Sequence, residues 1–227
     1  TGHRERQILL RKTIDYYFTV TSPWSYLGDI RVREIAARCN VTLQHRPVNA
    51  GEIFSKTGGL PLKDRSAERQ AYRLRELARW RERLEIELNL EPTFFPASSE
   101  LADKVIIVTR ESGIGPGPLT NAFMRTVWVD NENIADPEVV KNVLDAQGLD
   151  SVTLMASAQE EKTVHMLATH TEEAISRGVF GLPSYVTAHD LFWGQDRLEF
   201  LESSLAGYEY GEDPEQASRL AGDETPL

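Results

Sequence analysis

One short turn concentrates the residues able to do chemistry. Thr21-Ser22-Pro23-Trp24-Ser25-Tyr26-Leu27-Gly28 follows an apolar run over 14–20 and precedes a helical pattern over 24–39. A helix N-terminus offers unpaired N–H groups and a positive partial charge. An anion placed there is stabilised, and a thiol there ionises more readily. Ser22 stands just before that helix, and Pro23 falls in its first turn, where a missing N–H costs little. Neither His nor Asp occurs within the turn to act as a base, so the Ser22 hydroxyl suits donation to a thiolate better than attack. A plain N-cap is its alternative role.

Two later segments carry comparable signals. In GVFGLPSYV (178–186), Pro183 must enter a strand at its start or edge, because it cannot donate to a ladder. A cis bond there would leave the Leu182 backbone free to pair with an extended peptide; a simple strand-entry proline is the alternative. In FWGQDRLEFLE (192–202), Asp196 and Glu199 have capping-box spacing, and the Asp196 carboxylate also suits a ligand ammonium group.

The elements that must position these segments follow from periodicity. Strands are predicted over 14–20 and 41–48 around the first helix, a parallel pair with a right-handed crossover. Helices are predicted over 64–88, 101–111, 118–130, from Pro137 to about Gly148 with Asp136 as cap, and over 157–177. The first of these places Tyr72, Leu77, Trp80 and Leu84 near one face, with arginines over much of the rest. The break at 113–118 reads as a loop. Strand character returns over 184–188 and 191–193, before a last helix over 195–206. A split α/β domain with an all-helical insertion explains this order best.

The totals are those of a globular protein: 227 residues, 41% hydrophobic and 26% charged. A net charge of −10 argues against general nucleic-acid binding. No apolar run approaches the roughly 18 residues of a membrane span, and no secretion signal is visible. The one cysteine, Cys39, shares a helical stripe with Gly28, Val32 and Ile35 and reads as packing, which fits a reducing, cytoplasmic location. His165 and His170 read as surface residues rather than a metal pair, and Phe94, Phe95 and Pro96 as packing within the insertion. The acidic tail from Tyr208 reads as loose or packed on a partner subunit.

The SPWSYLG, GVFGLPSYV and FWGQDRLEFLE segments together resemble the 2-hydroxychromene-2-carboxylate isomerases and their kappa-class glutathione transferase relatives, over roughly residues 14–206. That resemblance implies an α/β, thioredoxin-like domain of DsbA-like type, built from 14–49 and 178–207. It also implies a helical insertion over 50–177, terminal extensions over 1–13 and 208–227, and a homodimer. Ser22 and Ser25 stand where redox relatives carry two cysteines, so disulfide exchange is excluded. Glutathione becomes the implied cofactor. Ser22 would stabilise its thiolate, with Pro23 and Trp24 in the binding turn and Pro183 as a cis proline. Leu182 would pair with the cysteinyl backbone, and Gln195 and Asp196 would hold the γ-glutamyl end. The implied reaction is cis-trans isomerisation of an aryl-methylidene pyruvate, a small aromatic carboxylate, in aromatic degradation. Lys56 and the arginines of 65–83 would meet its carboxylate. The sequence departs from the family's pattern at Gly59-Leu60, where an asparagine and a basic residue are usual. A kappa-like transferase and a non-catalytic ligand- or peptide-binding protein are the alternative readings.

Overall fold

The computed structural model describes residues 12–207. Strand β1 (Thr13–Phe18), helix α1 (Pro23–Arg38) and strand β2 (Thr42–Pro47) form a parallel unit, with Tyr16 opposite His45. Strand β3 (Ser184–Val186) runs antiparallel to β1 with Tyr185 opposite Tyr16, and strand β4 (Leu191–Trp193) returns beside it. The sheet order is β2-β1-β3-β4. β1 is central, so both its faces are covered: Ile14, Tyr16, Tyr17 and Phe18 are buried. The Tyr16 ring stacks on Phe18 and on Tyr185, at 4.5 and 5.3 Å.

Between β2 and β3 lie only helices and loops. Helix α2 (Ala50–Thr57) was not expected from sequence. Its apolar face, Ala50, Ile53 and Phe54, spans only two turns, too short a run to stand out in the sequence; the Asn49 side chain caps it by accepting from the Glu52 N–H at 3.2 Å. The helix expected over 64–88 is shorter. A 3₁₀ turn at Leu62–Asp64 precedes helix α3 (Ala67–Leu84), which begins at the Ser66 cap and ends at Glu85, whose φ is +53°. Helices α4 (Glu100–Glu111), α5 (Gly117–Trp128) and α6 (Pro137–Ala146) lie close to their expected spans. Asp136 caps α6 as expected, accepting from the Glu138 N–H at 2.9 Å.

The helix expected over 157–177 starts a few residues later, as α8 (Glu161–Ser176), and a short helix not expected from the sequence, α7 (Ser151–Ala158), capped by Asp150, precedes it. The last helix also differs. A 3₁₀ turn at Gln195–Arg197 precedes α9 (Leu198–Leu205), and Asp196 caps neither; its carboxylate pairs with Arg197 at 3.1 Å. His170 is buried rather than on the surface, its ring nitrogens 3.3 Å from the Pro47 carbonyl and from Arg110. His165 is exposed. Phe95, followed by a cis Pro96, packs on Trp128 at 5.1 Å, whereas Phe94 is exposed. Cys39 is half-buried against the core. One apolar core joins β1 and α1 to α4, α5, α6 and α9, so the helices between β2 and β3 share it with the sheet. The tail expectation from Tyr208 lies outside the described residues.

Candidate active site

The loop after β1 places Ser22 as the N-cap of α1, with extended φ and ψ of −86° and 120°. Its Oγ accepts the Ser25 N–H at 3.2 Å, and its own N–H donates to the Thr19 carbonyl at 3.1 Å. The hydroxyl oxygen is thus spent as an acceptor. Its proton has no acceptor among the described residues and is free for a ligand. Ser25 is fully buried, and its carbonyl accepts the Tyr16 hydroxyl at 3.3 Å, so it faces the protein rather than a ligand.

The second wall is the loop entering β3. Leu182–Pro183 is a cis bond. The Pro183 carbonyl accepts from the Gly194 N–H at 2.9 Å, and the Ser184 hydroxyl donates to the Gly181 carbonyl at 2.7 Å. These bonds tie the loop to β4 on one side and to its own entry on the other. The Leu182 N–H and carbonyl make no hydrogen bond among the described residues. An extended peptide can therefore pair with them as a strand pairs with a sheet edge. Gly181 is required by close approach: a Cβ there would meet the Trp193 indole nitrogen at 2.3 Å.

A cavity of about 900 Å³ opens between these walls and α3. Trp24, Leu182, Gln195 and Asp196 line one side. Four sequence-predicted residues thus line the cavity; Ser22, Pro23 and Pro183 adjoin Trp24 and Leu182 in the chain but are not among its lining residues. Lys56, exposed in the last turn of α2, is not part of this lining. Gln195 is 1% exposed, and Arg31 donates from Nη1 to both its Oε1 (2.6 Å) and its carbonyl (3.1 Å). Sequence reasoning missed Arg31, which meets Gln195 from 164 residues away. Gly59 is packed against Phe54, whose ring carbon would lie 2.6 Å from an added Cβ; the neighbouring Leu60 carbonyl accepts from Arg65 Nε at 2.8 Å.

The cavity's α3 side is cationic. Arg65, Arg69 and Arg73 line it. Burial, with the charge of Arg65 beside it, pulls the Arg73 guanidinium down to about 10. On the other side of the Ser22 turn, Thr19, Thr21, Ser99 and Asp103 border a smaller cavity of about 430 Å³. Burial pushes the Asp103 carboxyl up to about 7, against hydrogen bonds from Ser99 Oγ (2.6 Å) and Thr19. Within α1, burial raises Asp29 to about 6, although Arg33 and Asn121 both bind it at 3.1 Å. Among the described residues, no cluster of three His, Cys, Asp or Glu side chains is arranged to hold a metal ion. No helix among them is long and apolar enough to cross a membrane.

Comparison with known proteins agrees with this architecture. A 2-hydroxychromene-2-carboxylate isomerase of Sphingobium xenophagum is 28% identical over 199 residues, covering 86% of this chain and 99% of that protein. Glutathione S-transferase kappa 1 of Homo sapiens is 26% identical over 209 residues, covering 86% of this chain and 92% of its own. A solved 2-hydroxychromene-2-carboxylate isomerase superposes with a TM-score of 0.73 at 22% identity, covering 94% of this chain and 99% of the other. The family model described as a DSBA-like thioredoxin domain matches residues 13–206, nearly the whole described chain. The chain belongs to the DSBA-like thioredoxin domain family.

Proposed function

We propose that this protein is a glutathione-dependent cis-trans isomerase of small aryl-methylidene pyruvates, of the 2-hydroxychromene-2-carboxylate type. The observation that carries the reading is the unengaged Ser22 proton at the N-terminus of α1, next in the chain but one to Trp24, which lines the same cavity as Leu182. Glutathione would pair its cysteinyl backbone with Leu182, bringing its sulfur to Ser22. The hydroxyl and the helix N-terminus both favour the thiolate over the thiol. Asp196, on the same cavity wall, is placed for the γ-glutamyl ammonium group.

The chemistry then closes on itself. The thiolate adds to the conjugated carbon, the double bond's electrons move onto the ketone as an enolate, and the remaining single bond rotates. The enolate re-forms the double bond and expels the thiolate, so glutathione is regenerated and no other reactant is consumed. The protein contributes orientation and a stabilised anion. The similarity to the human kappa transferase, close to that of the isomerase, favours a second reading in which the thioether product leaves intact. Calorimetric titration with glutathione, read together with ultraviolet thiolate absorbance, tests the shared step. Binding with thiolate formation near neutral pH is expected, followed by isomer release with no loss of free thiol. Accumulation of a thioether selects the transferase; no binding at millimolar glutathione overturns both.

A further inference from the structure

The arginine face of α3 is more than a solvated surface. Charged helix faces are ordinarily balanced by neighbouring carboxylates. Here Arg65 spends its Nε on the Leu60 carbonyl, and Arg73 has no hydrogen-bonding partner for its buried Nη2. The charges felt by Arg65 and Arg73 are those of other arginines, Arg69 and Arg65 respectively. The two carboxylates lining the same wall are engaged elsewhere. Glu76 holds Arg79, and Glu68 turns back to Ser66 and its own N–H at the start of α3. Across the cavity, Asp196 is paired with Arg197. A chain of net charge −10 thus maintains an uncompensated cationic wall inside this cavity of about 900 Å³. Unpaired guanidinium groups that are partly desolvated raise the free energy of the empty protein, and an anionic ligand recovers that cost.

Arg73 is also held in place. Its guanidinium lies 5.3 Å from the centre of the Phe95 ring and 6.0 Å from that of Trp128. Such contacts limit the freedom a guanidinium loses on gripping a carboxylate. Tyr72 and Trp80 flank it on the same wall and offer aromatic surface. We propose that Arg73, reinforced by Arg65, is the carboxylate site for the electrophilic substrate, with the substrate's aryl ring against Tyr72 and Trp80. The site faces Trp24 and Leu182, so a ligand gripped there lies across the cavity from the Ser22 turn. The ligand class, an aromatic α-keto acid, rests on the isomerase reading; the anion site rests on the geometry alone.

The test is calorimetric titration with benzylidenepyruvate and with its uncharged methyl ester, without glutathione. The acid is expected to bind about tenfold more tightly than the ester, as a charge-assisted hydrogen bond allows. Arg73→Gln should erase that preference while leaving ester affinity unchanged, and Arg73→Lys should restore only part of it. Loss of acid and ester affinity together would mark Arg73 as a packing residue and overturn the proposal. So would equal binding of acid and ester by the native protein, or no binding of either. If Arg73→Gln does not fold, Arg65→Gln serves, with a smaller loss of the same preference; an unchanged preference overturns the proposal. A protein that prefers the acid yet does not bind glutathione keeps this site and loses the glutathione reading. A protein that binds glutathione but treats acid and ester alike does the reverse.

Discussion

The Ser22 hydroxyl oxygen accepts the Ser25 N–H at 3.2 Å, so one serine both caps α1 and keeps its own proton available. Two contributions are therefore joined in one side chain, and substitutions separate them. Ser22→Ala loses both; Ser22→Gly retains most of the cap's stability, because glycine is tolerated at that position. Ser22→Ala is expected to lower folding stability by about 1 kcal/mol, and Ser22→Gly by a few tenths. Both should raise the pKa of bound glutathione by about one unit and cut kcat/KM by about tenfold or more. Ultraviolet thiolate titration and urea unfolding measure the two effects independently. An unchanged thiol pKa in both variants would remove Ser22 from the mechanism.

Gly59, where the resemblance to the isomerases implies an asparagine, is held by close packing. A Cβ at 59 would sit 2.6 Å from a ring carbon of Phe54, and Phe54 packs on the small apolar cluster around Ile53 and Val179. Gly59→Asn is therefore expected to cost about 1–3 kcal/mol through overpacking. Adding Phe54→Ala should relieve part of that cost, so the double variant should be more stable than the sum of the single effects. Urea midpoints for the full cycle measure this coupling, and additive losses would show that the ring moves aside freely.

Much of the site was legible because its signals are local. Proline and glycine chemistry fixed the Ser22 turn and the Pro183 loop, and neither depends on distant residues. The missing parts have physical reasons. Helix α2 has an apolar face of Ala50, Ile53 and Phe54, but its eight residues are too few for that period to stand out. The break between α7 and α8 at Gln159–Glu160 contains neither proline nor glycine. Asp196 follows Gly194, whose φ of +97° starts a 3₁₀ turn, and this removes the capping geometry that its spacing implies. The bonds from Arg31 to Gln195 and from Arg110 to His170 join residues far apart in sequence. The arginines of α3 were visible as residues, but their lack of carboxylate partners is a property of the folded chain.

Gly181 packs directly against Trp193, whose ring lines the cavity. A Cβ at 181 would lie 2.3 Å from the indole nitrogen, and Trp193 is half exposed, so the ring rather than the backbone must yield. Gly181→Ala is expected to change stability by less than about 1 kcal/mol while displacing a side chain that lines the site. Glutathione affinity should fall several-fold, with a shift in tryptophan emission on glutathione binding. Trp193→Ala should weaken glutathione to a similar extent, and the double variant should add little, since both act through one ring. Full additivity would mean that Gly181 serves the Leu182 backbone instead.

The buried titrating groups set an unusual pH response. Asp103 and Asp29 are raised by burial from an ordinary 3.8 to about 7 and about 6. Between pH 4 and 7 they bind more protons in the native state than in the unfolded one. Their contribution to stability is complete below about pH 4 and is lost as pH rises through 6 to 7. His45 and His170 behave oppositely. Burial, helped by Arg33 for one and Arg110 for the other, lowers both from 6.5 to about 4. Their contribution is complete above 6.5 and is lost as pH falls toward 4. The two pairs oppose each other from pH 4 to 6.5, so the native protein should show a shallow profile there, then lose stability toward pH 8. Asp103→Asn removes the larger carboxyl shift while preserving side-chain volume. The variant should gain on the order of 2 kcal/mol relative to the native protein between pH 4 and pH 8, and its stability should rise with pH below 6.5. Urea midpoints at four or five pH values (approximate spacing of one unit) decide the matter. Parallel profiles for the two proteins would mean that Asp103 is already ionised at neutral pH, held by Ser99 and Thr19 strongly enough to cancel its burial.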